Sequence, residues 1–497
     1  MRTLLLAMAV LLGAAGPSPA ADPPAPAAQN APADANAAAS VKRPNVLIVT
    51  LDTTRADHTS AYGYSRPTTP RLAEFAKQGV RFETAYAPMA TTLPSHTTMF
   101  TGLLPRTHGT LKNGLPVDAS LPLLSEILDG AGYRTAAFLS SFAVSSKFGL
   151  QRGFDLYDDD FRDGQCKWDV TRWEGHKLEG DFCRRGDLTR ARAEAWLEQN
   201  GYLPASAAQD GSAAKASASA ASSAAQRPSE PFYVWIHFFD AHNPYDPPEE
   251  HAKLFPPLGN PPTELDREIA KYDAEIHFAD QEMGKLFDRL AAAKLLDDTL
   301  VIVAGDHGEG LMDHGWMLHG LQIYEEAVRV PFVVRWPAKV PAGKVIAEPV
   351  ELADMTPTVL ELTGIAMPNA KHAPEGMSLA AAMAGKATLD AKRPVLVQRR
   401  FYASDSERGV KVKGSKHGLR LGDWKYIEAK EEDSFELYDL KSDPGEKTNL
   451  ATARPGERDT MATRLATTLS STAVAAPAPR TVSEEDARRL EALGYVQ

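Results

Sequence analysis

Three short apolar runs, each closing on an aspartate, restrict this chain more than any other feature. Asn45-Val-Leu-Ile-Val-Thr-Leu51 leads into Asp52, Phe232-Tyr-Val-Trp-Ile-His-Phe-Phe239 into Asp240, and Thr299-Leu-Val-Ile-Val-Ala304 into Gly305-Asp306. Runs of this length with few polar interruptions are expected of strands covered on both faces, as in a parallel sheet. Residues 133–140 and 330–336 read as further strands. Helical spacing falls between them, at 72–79, at 94–101 closed by Gly102, at 121–130 and over the long amphipathic stretch 264–296. Strands alternating with helices predict an α/β sandwich. Acidic residues just past strand ends stand where open α/β sheets bind ligands.

The rest of the chain frames that core. Met1-Arg2, an apolar stretch over 4–15 and small residues up to Ala21 predict a signal peptide over 1–20 and a periplasmic or secreted location. The stretch is short for a bilayer span, and no second long apolar run follows, so no membrane span is expected. Residues 21–42, rich in Ala, Pro and Asn, predict a disordered tether, and the Ala/Ser-rich 205–229 a disordered insertion in a catalytic domain over 43–392. Residues 393–450 predict a small antiparallel sheet, with 419–427 and 435–440 its clearest strands. A linker and terminal helix are expected over 451–497, with 466–480 another low-complexity segment. Fifty-four basic against 65 acidic residues give a net charge of -11. That excludes nucleic-acid binding through overall charge but leaves room for a local pocket for a small anion. Cys166 and Cys183, the two cysteines present, are expected to pair and staple a polar loop, worth about 3 kcal/mol by chain entropy.

Histidines gather beside the aspartates. Leu51-Asp52-Thr53-Thr54-Arg55, Thr91-Thr92-Leu93-Pro94-Ser95-His96, Phe239-Asp240-Ala241-His242, Gly305-Asp306-His307-Gly308-Glu309, and the stretch from Asp313-His314-Gly315 to His319-Gly320 hold or flank most of the chemistry-bearing imidazoles. Carboxylates and imidazoles together are the ligand set of zinc and related metals. Thr92 lies just before Pro94, at the start of the expected helix, where its hydroxyl is either a cap among unpaired N–H groups or, beside a metal, a nucleophile.

These pieces resemble the sulfatase branch of the alkaline phosphatase superfamily. So do Arg43-Pro-Asn-Val-Leu, Phe100-Thr-Gly to His108-Gly109, Tyr245-Asp-Pro-Pro248, Tyr272-Asp-Ala-Glu-Ile276 with Asp280, Tyr324-Glu-Glu-Ala-Val-Arg-Val-Pro-Phe332, and the C-terminal Leu437-Tyr-Asp-Leu to Asn449-Leu450. The resemblance implies an alkaline-phosphatase-like sandwich, with a large mostly parallel central sheet and a small C-terminal antiparallel sheet, and a metal-dependent hydrolase of small anionic esters. The departures are informative. Sulfatases carry Cys or Ser, matured to formylglycine, where this chain has Thr92. Thr53 stands for a second metal-binding Asp, Asp306-His307 for an Asp-Asn pair, and His319 for a Lys. The pattern is also similar to nucleotide pyrophosphatase/phosphodiesterases, which use a Thr nucleophile and two zincs. By that likeness Asp52, Asp306 and His307 hold one metal. His319, Asp240 and His242 hold a second, unless His242 touches substrate as its sulfatase counterpart does. Ser95, His96 and Asn113 are expected to bind substrate. Imidazole ligands favour zinc or manganese over calcium. A Thr alkoxide suits a phosphoester, with sulfate-ester hydrolysis and a non-catalytic anion- or glycan-binding scaffold as the alternatives. Deleting 205–226 should leave activity and melting temperature nearly unchanged, because those residues offer little to pack; thermal unfolding of the deletion variant checks this.

Overall fold

The three aspartate-ended runs form the middle of an eight-stranded sheet. In the computed structural model, residues 43–162, 182–205, 228–368, 373–403, 406–407 and 410–472 are described, with 474 and 488. The strand order is Lys344–Ile346, Val80–Phe82, Phe332–Arg335, Thr299–Gly305, Asn45–Leu51, Phe232–Phe238, Arg134–Leu139, Leu156–Asp158. Neighbours pair in parallel, except that Phe332–Arg335 runs against both Thr299–Gly305 and Val80–Phe82.

Alternation along the central strands divides their side chains between two cores. Val46, Ile48, Tyr233, Trp235, Leu300, Ile302 and Ala304 face one side, where Leu93, Met99 and Phe100 of the helix Thr92–Thr101 pack. Leu47, Val49, Leu51, Val234, Ile236, Val301 and Val303 face the other, against Ala193, Trp196 and Leu197 of Gly186–Gln199 and Met283, Leu286 and Leu290 of Glu264–Ala292. The period of 2 in a strand makes this division automatic, and it decides below which aspartate meets which partner.

The C-terminal part forms a four-stranded antiparallel sheet, Val395–Tyr402, Gly414–Leu421, Trp424–Ala429 and Ser434–Asp439 in that order. The expected single strand over 419–427 is instead a hairpin. Gly422, at φ 63°, turns the chain between two strands, a conformation that glycine adopts without strain. The expected low-complexity stretch 466–480 is also corrected at its start. Pro455–Ser471 is a helix, and its Met461 and Leu465 are buried against Leu419, Tyr426 and Leu437. Tertiary burial extends this helix into the first residues of the stretch expected to be of low complexity. Cys183 is buried and disulfide-bonded, while Cys166 lies outside the described residues. The same holds for residues 1–42 and for 206–227, nearly all of the expected insertion. No described helix is long and apolar enough to cross a membrane.

A buried charge cluster joins the small sheet to the short helix Glu325–Val328 and to Tyr86. Lys425 Nζ, 1% exposed, lies 3.0 Å from both Glu325 Oε1 and Glu446 Oε1. Tyr86 donates its hydroxyl proton to Glu325 Oε2 at 2.8 Å, and the Glu325 amide donates to Glu446 Oε2. Removing the cation leaves two carboxylates in apolar surroundings. Lys425→Met should therefore destabilise by about 3–5 kcal/mol, read as a fall in denaturation midpoint with an unchanged m-value.

Candidate active site

Register brings the first metal candidates together. Leu51 pairs with Gly305 on parallel neighbours, so Asp52 and Asp306 leave the sheet side by side, on the face that carries Thr92–Thr101. Asp52, Asp306, His307 and Thr92 are all essentially inaccessible. Asp306 Oδ1 accepts the amides of Thr53 (3.1 Å) and His307 (2.7 Å), and Asp52 Oδ2 accepts from His237 Nε2 at 3.1 Å. Their remaining oxygens, Asp52 Oδ1 and Asp306 Oδ2, are buried with no hydrogen-bond partner. His307 Nε2 is 3.9 Å from the first and 3.6 Å from the second. His307 Nδ1 lies 2.9 Å from Gly308 O, which can only accept. The ring proton is therefore on Nδ1, and the Nε2 lone pair faces the carboxylates. Thr92 Oγ1 is 3.3 Å from the same nitrogen and hydrogen-bonds Asp52.

Without a cation the arrangement is electrostatically poor. Burial, with Glu309 nearby, pushes the Asp52 carboxyl well above its usual range, and burial plus Asp52 does the same to Asp306. Burial and His319 keep the His307 imidazole neutral. Two carboxylates that resist ionising, each with an orphaned oxygen, and a neutral imidazole suit a divalent cation, which reverses the sign of the local charge. The residues fit such an ion.

The supports come from loops. Thr53 holds a left-handed φ of 48°, uncommon for a β-branched residue, with its amide on Asp306 and its carbonyl accepting the Tyr272 hydroxyl at 2.6 Å. Arg55 donates to Asp57, to Asp313 and to Glu309 O, tying the first motif to the later one. Asp280 accepts the Arg71 and Leu72 amides, both at 2.8 Å, and so caps Pro70–Ala76 from the long helix.

Several expected site residues sit elsewhere. Asp240 lies on the opposite sheet face, with Val234, Ile236 and Phe238. Its Oδ1 accepts the Gly186 amide at 2.8 Å, at the start of Gly186–Gln199, and burial pushes its carboxyl up to about 7. The ligand groups within reach of one ion, Asp52–Asp306–His307 and His96–His237–Asp306, include none of Asp240, His242 and His319 among the described residues. His96, expected to bind substrate, has both ring nitrogens engaged within the fold. Its Nδ1 donates to Thr92 O at 2.8 Å, and its Nε2 is 3.0 Å from Thr50 Oγ1, which also accepts from Trp235 Nε1. Ser95 donates to Met89 O at 2.8 Å, turned into the fold. Asn113 does reach the site, because its Oδ1 accepts the Leu93 amide at 2.8 Å and its Nδ2 is buried without a partner. His242 and His319 also converge there, with ring centroids 5.1 Å apart and His319 4.4 Å from His307. His242 Nδ1 donates to Asn243 O.

Two residues of the site were given no role from sequence. His237 holds Asp52, and a histidine inside an otherwise apolar strand was the available signal. Glu309, two residues beyond His307, is buried, pushed up to about 8 by burial, and 3.3 Å from both His319 Nδ1 and Tyr245 Oη.

The sequence model described as Sulfatase matches residues 44–365, well over half of the chain. The chain belongs to the sulfatase family. This places it in the alkaline phosphatase superfamily, among metal-dependent ester hydrolases. The model described as N-sulphoglucosamine sulphohydrolase, C-terminal, matches residues 312–474. A choline-sulfatase of Rhizobium meliloti is 25% identical over 452 residues, 82% of each chain. An arylsulfatase of Clostridium perfringens is 24% identical over 82% of this chain and 90% of its own. Among solved structures, the phosphonate monoester hydrolase of Agrobacterium radiobacter superposes with a TM-score of 0.67 at 21% identity, covering 86% of this chain and 96% of that one. These likenesses share the fold.

His314, the histidine furthest from the metal candidates in its stretch, is a structural cation. Its Nε2 donates to Glu446 O at 3.0 Å and its Nδ1 to Glu326 Oε1 at 2.7 Å, with the ring stacked 3.7 Å from Tyr324. Burial opposes its charge, but the Glu326 hydrogen bond and charge with the Glu446 carbonyl outweigh it and raise its pKa. A raised folded pKa stabilises fully below the unfolded value, about 6.5, and the contribution fades as pH rises through the folded value. The stability difference between the native chain and His314→Asn should be largest below pH ~6, about 1–2 kcal/mol, and shrink on going alkaline. Thermal melts of both proteins across pH check this.

Proposed function

We propose that this chain is an exported hydrolase of small anionic esters with Thr92 as nucleophile, one divalent cation at Asp52, Asp306 and His307, and a preference for phosphoesters over sulfate esters. What supports the reading is the pair of unpartnered buried carboxylate oxygens facing one imidazole nitrogen beside the Thr92 hydroxyl. A divalent ion there supplies positive charge to an ester oxygen and lowers the pKa of an adjacent hydroxyl.

The chain's own groups carry the remaining work. Asp52 accepts the Thr92 hydroxyl hydrogen bond, and His237 fixes Asp52 through Oδ2, so the threonine oxygen is held for attack. Thr92 Oγ bonds to phosphorus, the ester oxygen departs with its electron pair and takes a proton, and water then hydrolyses the Thr92 ester. His242 and His319 are assigned to the leaving-group side, with Glu309 orienting His319 through Nδ1. Asn113 Nδ2 is assigned as a donor to the substrate oxyanion. A formylglycine hydrate can expel sulfate by elimination, whereas a threonine ester has no such route, which favours phosphorus. The sulfatase-named relatives favour a sulfate ester as the second reading. Imidazole in the ligand set favours zinc or manganese over calcium. The signal-peptide pattern over 1–20 supports export.

Thr92→Ala should lower kcat by about 10³-fold or more while the melting temperature stays near wild type. Chelation should abolish activity, and zinc or manganese should restore it better than calcium. Aryl phosphoester turnover should exceed aryl sulfate turnover at least about tenfold, ~1.4 kcal/mol in the transition state. A calcium-loaded enzyme that is faster on the sulfate ester would overturn the phosphoester reading, and full activity in Thr92→Ala would overturn the nucleophile.

A further inference from the structure

Two histidines outside the candidate active site meet nitrogen to nitrogen. His251 lies on the short helix Glu249–Ala252 and His277 on the long helix Glu264–Ala292, and their Nδ1 atoms are 2.8 Å apart. Both rings are braced by phenyl groups. The His251 ring stands edge-on to Phe278 with centroids 5.2 Å apart, and the His277 ring lies 5.3 Å from that of Phe255. The segment carrying His251 is fastened to the long helix on both sides of that residue. Before it, the Asp246 amide donates to Glu275 Oε1 at 2.9 Å. After it, Arg66 donates both to Pro256 O at 2.8 Å and to Asp273 Oδ2 at 2.9 Å. Asp273 and His277 stand four residues apart, on one face of the helix.

Facing nitrogens at this separation suit a shared metal ion. Two nitrogens bound to one zinc at about 2.0–2.1 Å each, at right angles or wider, lie about 2.9 Å apart or more. The rings therefore need to part only slightly. With both imidazoles neutral, one Nδ1 carries a proton and the other a lone pair. Moving that proton to Nε2 of its own ring frees both lone pairs with no net proton released. Burial favours the neutral form: it lowers the His251 pKa against the charges of Glu250 and Glu282, and together with His251 it brings His277 down to about 4. Neutral imidazole is the form that binds metal. His251 also opens on a cavity of about 690 Å³, walled by five carboxylates against three Arg or Lys side chains, a balance that draws a cation. Among those carboxylates Glu282 is engaged by Arg190 and Lys285, and Glu249 by Lys253. Glu250, the neighbour of His251 in the chain, has no ion pair among the described residues.

We propose that His251 and His277, through their Nδ1 atoms, hold a transition-metal ion of the zinc class, with Glu250 as third ligand and water completing the sphere. Two imidazoles and one carboxylate select zinc or a neighbouring borderline metal over calcium. The site shares no residue with the cradle of Asp52, Asp306 and His307, and it does not depend on what Thr92 does. Its role is structural. The ion joins the segment that carries Tyr245, 3.3 Å from Glu309, to the helix that carries Tyr272, whose hydroxyl holds Thr53 O at 2.6 Å. Two supports of the active-site loops are thereby fastened to each other.

The test is metal content, read on the full chain stripped with a chelator and dialysed against zinc. The native chain should hold one equivalent of zinc more than His251→Gln and one more than His277→Gln, by elemental mass spectrometry. The double variant should lose no more than either single one, because one ion needs both rings. Glu250→Gln should keep the extra equivalent but bind it about tenfold more weakly. Added zinc should raise the melting temperature of the native chain by about 2 °C or more beyond its effect on the variants. X-ray absorption of the zinc-loaded native chain needs no variant: it should count more than one imidazole per zinc, since the cradle supplies only His307. Equal zinc in the native chain and either single variant overturns the site. So does a double variant that loses two equivalents, which would mark two independent surface histidines, or a native chain with one imidazole or fewer per zinc. If the extra equivalent is found but the cradle takes calcium or no ester is turned over, the catalytic reading fails and this site stands.

Discussion

Everything at this site depends on two carboxylates that should repel each other. Asp52 and Asp306 leave neighbouring parallel strands in register, buried, with one orphaned oxygen each. Such a pair is costly in a low-dielectric interior, and neither side chain can turn away, because Thr53, His307 and His237 fix their other oxygens. The loops accept strain to keep this geometry, and the left-handed Thr53 clamped by Asp306 and Tyr272 is the plainest case. A preorganised, charge-deficient cradle of this kind makes family membership chemically intelligible, since its occupant must bring positive charge.

Around the cradle, proton positions are set by groups that can only accept or only donate. Gly308 O, Asn243 O and Thr92 O fix the tautomers of His307, His242 and His96, and Trp235 Nε1 helps fix the last through Thr50. The consequence is a division of labour among imidazoles close in sequence. His307 presents a lone pair to the carboxylates, His96 braces the first turn of the Thr92 helix, and His314 bridges to the small sheet as a cation. Counting histidines near aspartates could not separate these roles. Each depends on which nitrogen meets a carbonyl, and the carbonyl comes from a different part of the chain.

The small sheet is more than a lid on apolar surface. Lys425, Glu325 and Glu446 lock it to the helix Glu325–Val328, and Glu446 O also receives His314, at the root of the loop that carries His319.

Much of this was legible in the residues themselves. The unbroken apolar runs announced buried parallel strands, the aspartates after them announced the ligand-binding edge, and Gly102 closed the Thr92 helix where expected. The amphipathic stretch over 264–296 became Glu264–Ala292. Register and facing were not legible. A strand sends alternate side chains to opposite faces, so Asp52 and Asp306 share one face while Asp240, counted from Val234, Ile236 and Phe238, falls on the other and caps Gly186–Gln199. His237 was hidden for the same reason, since it counts with Tyr233 and Trp235 and arrives beneath Asp52. The reversed direction of Phe332–Arg335 likewise needed neighbours that no local pattern names. The sequence by itself determined which residues could be ligands and where along the chain the strands would end. Only the tertiary structure decided which of them meet, because pairing register is a relation between strands far apart in sequence and one residue of offset reverses the face.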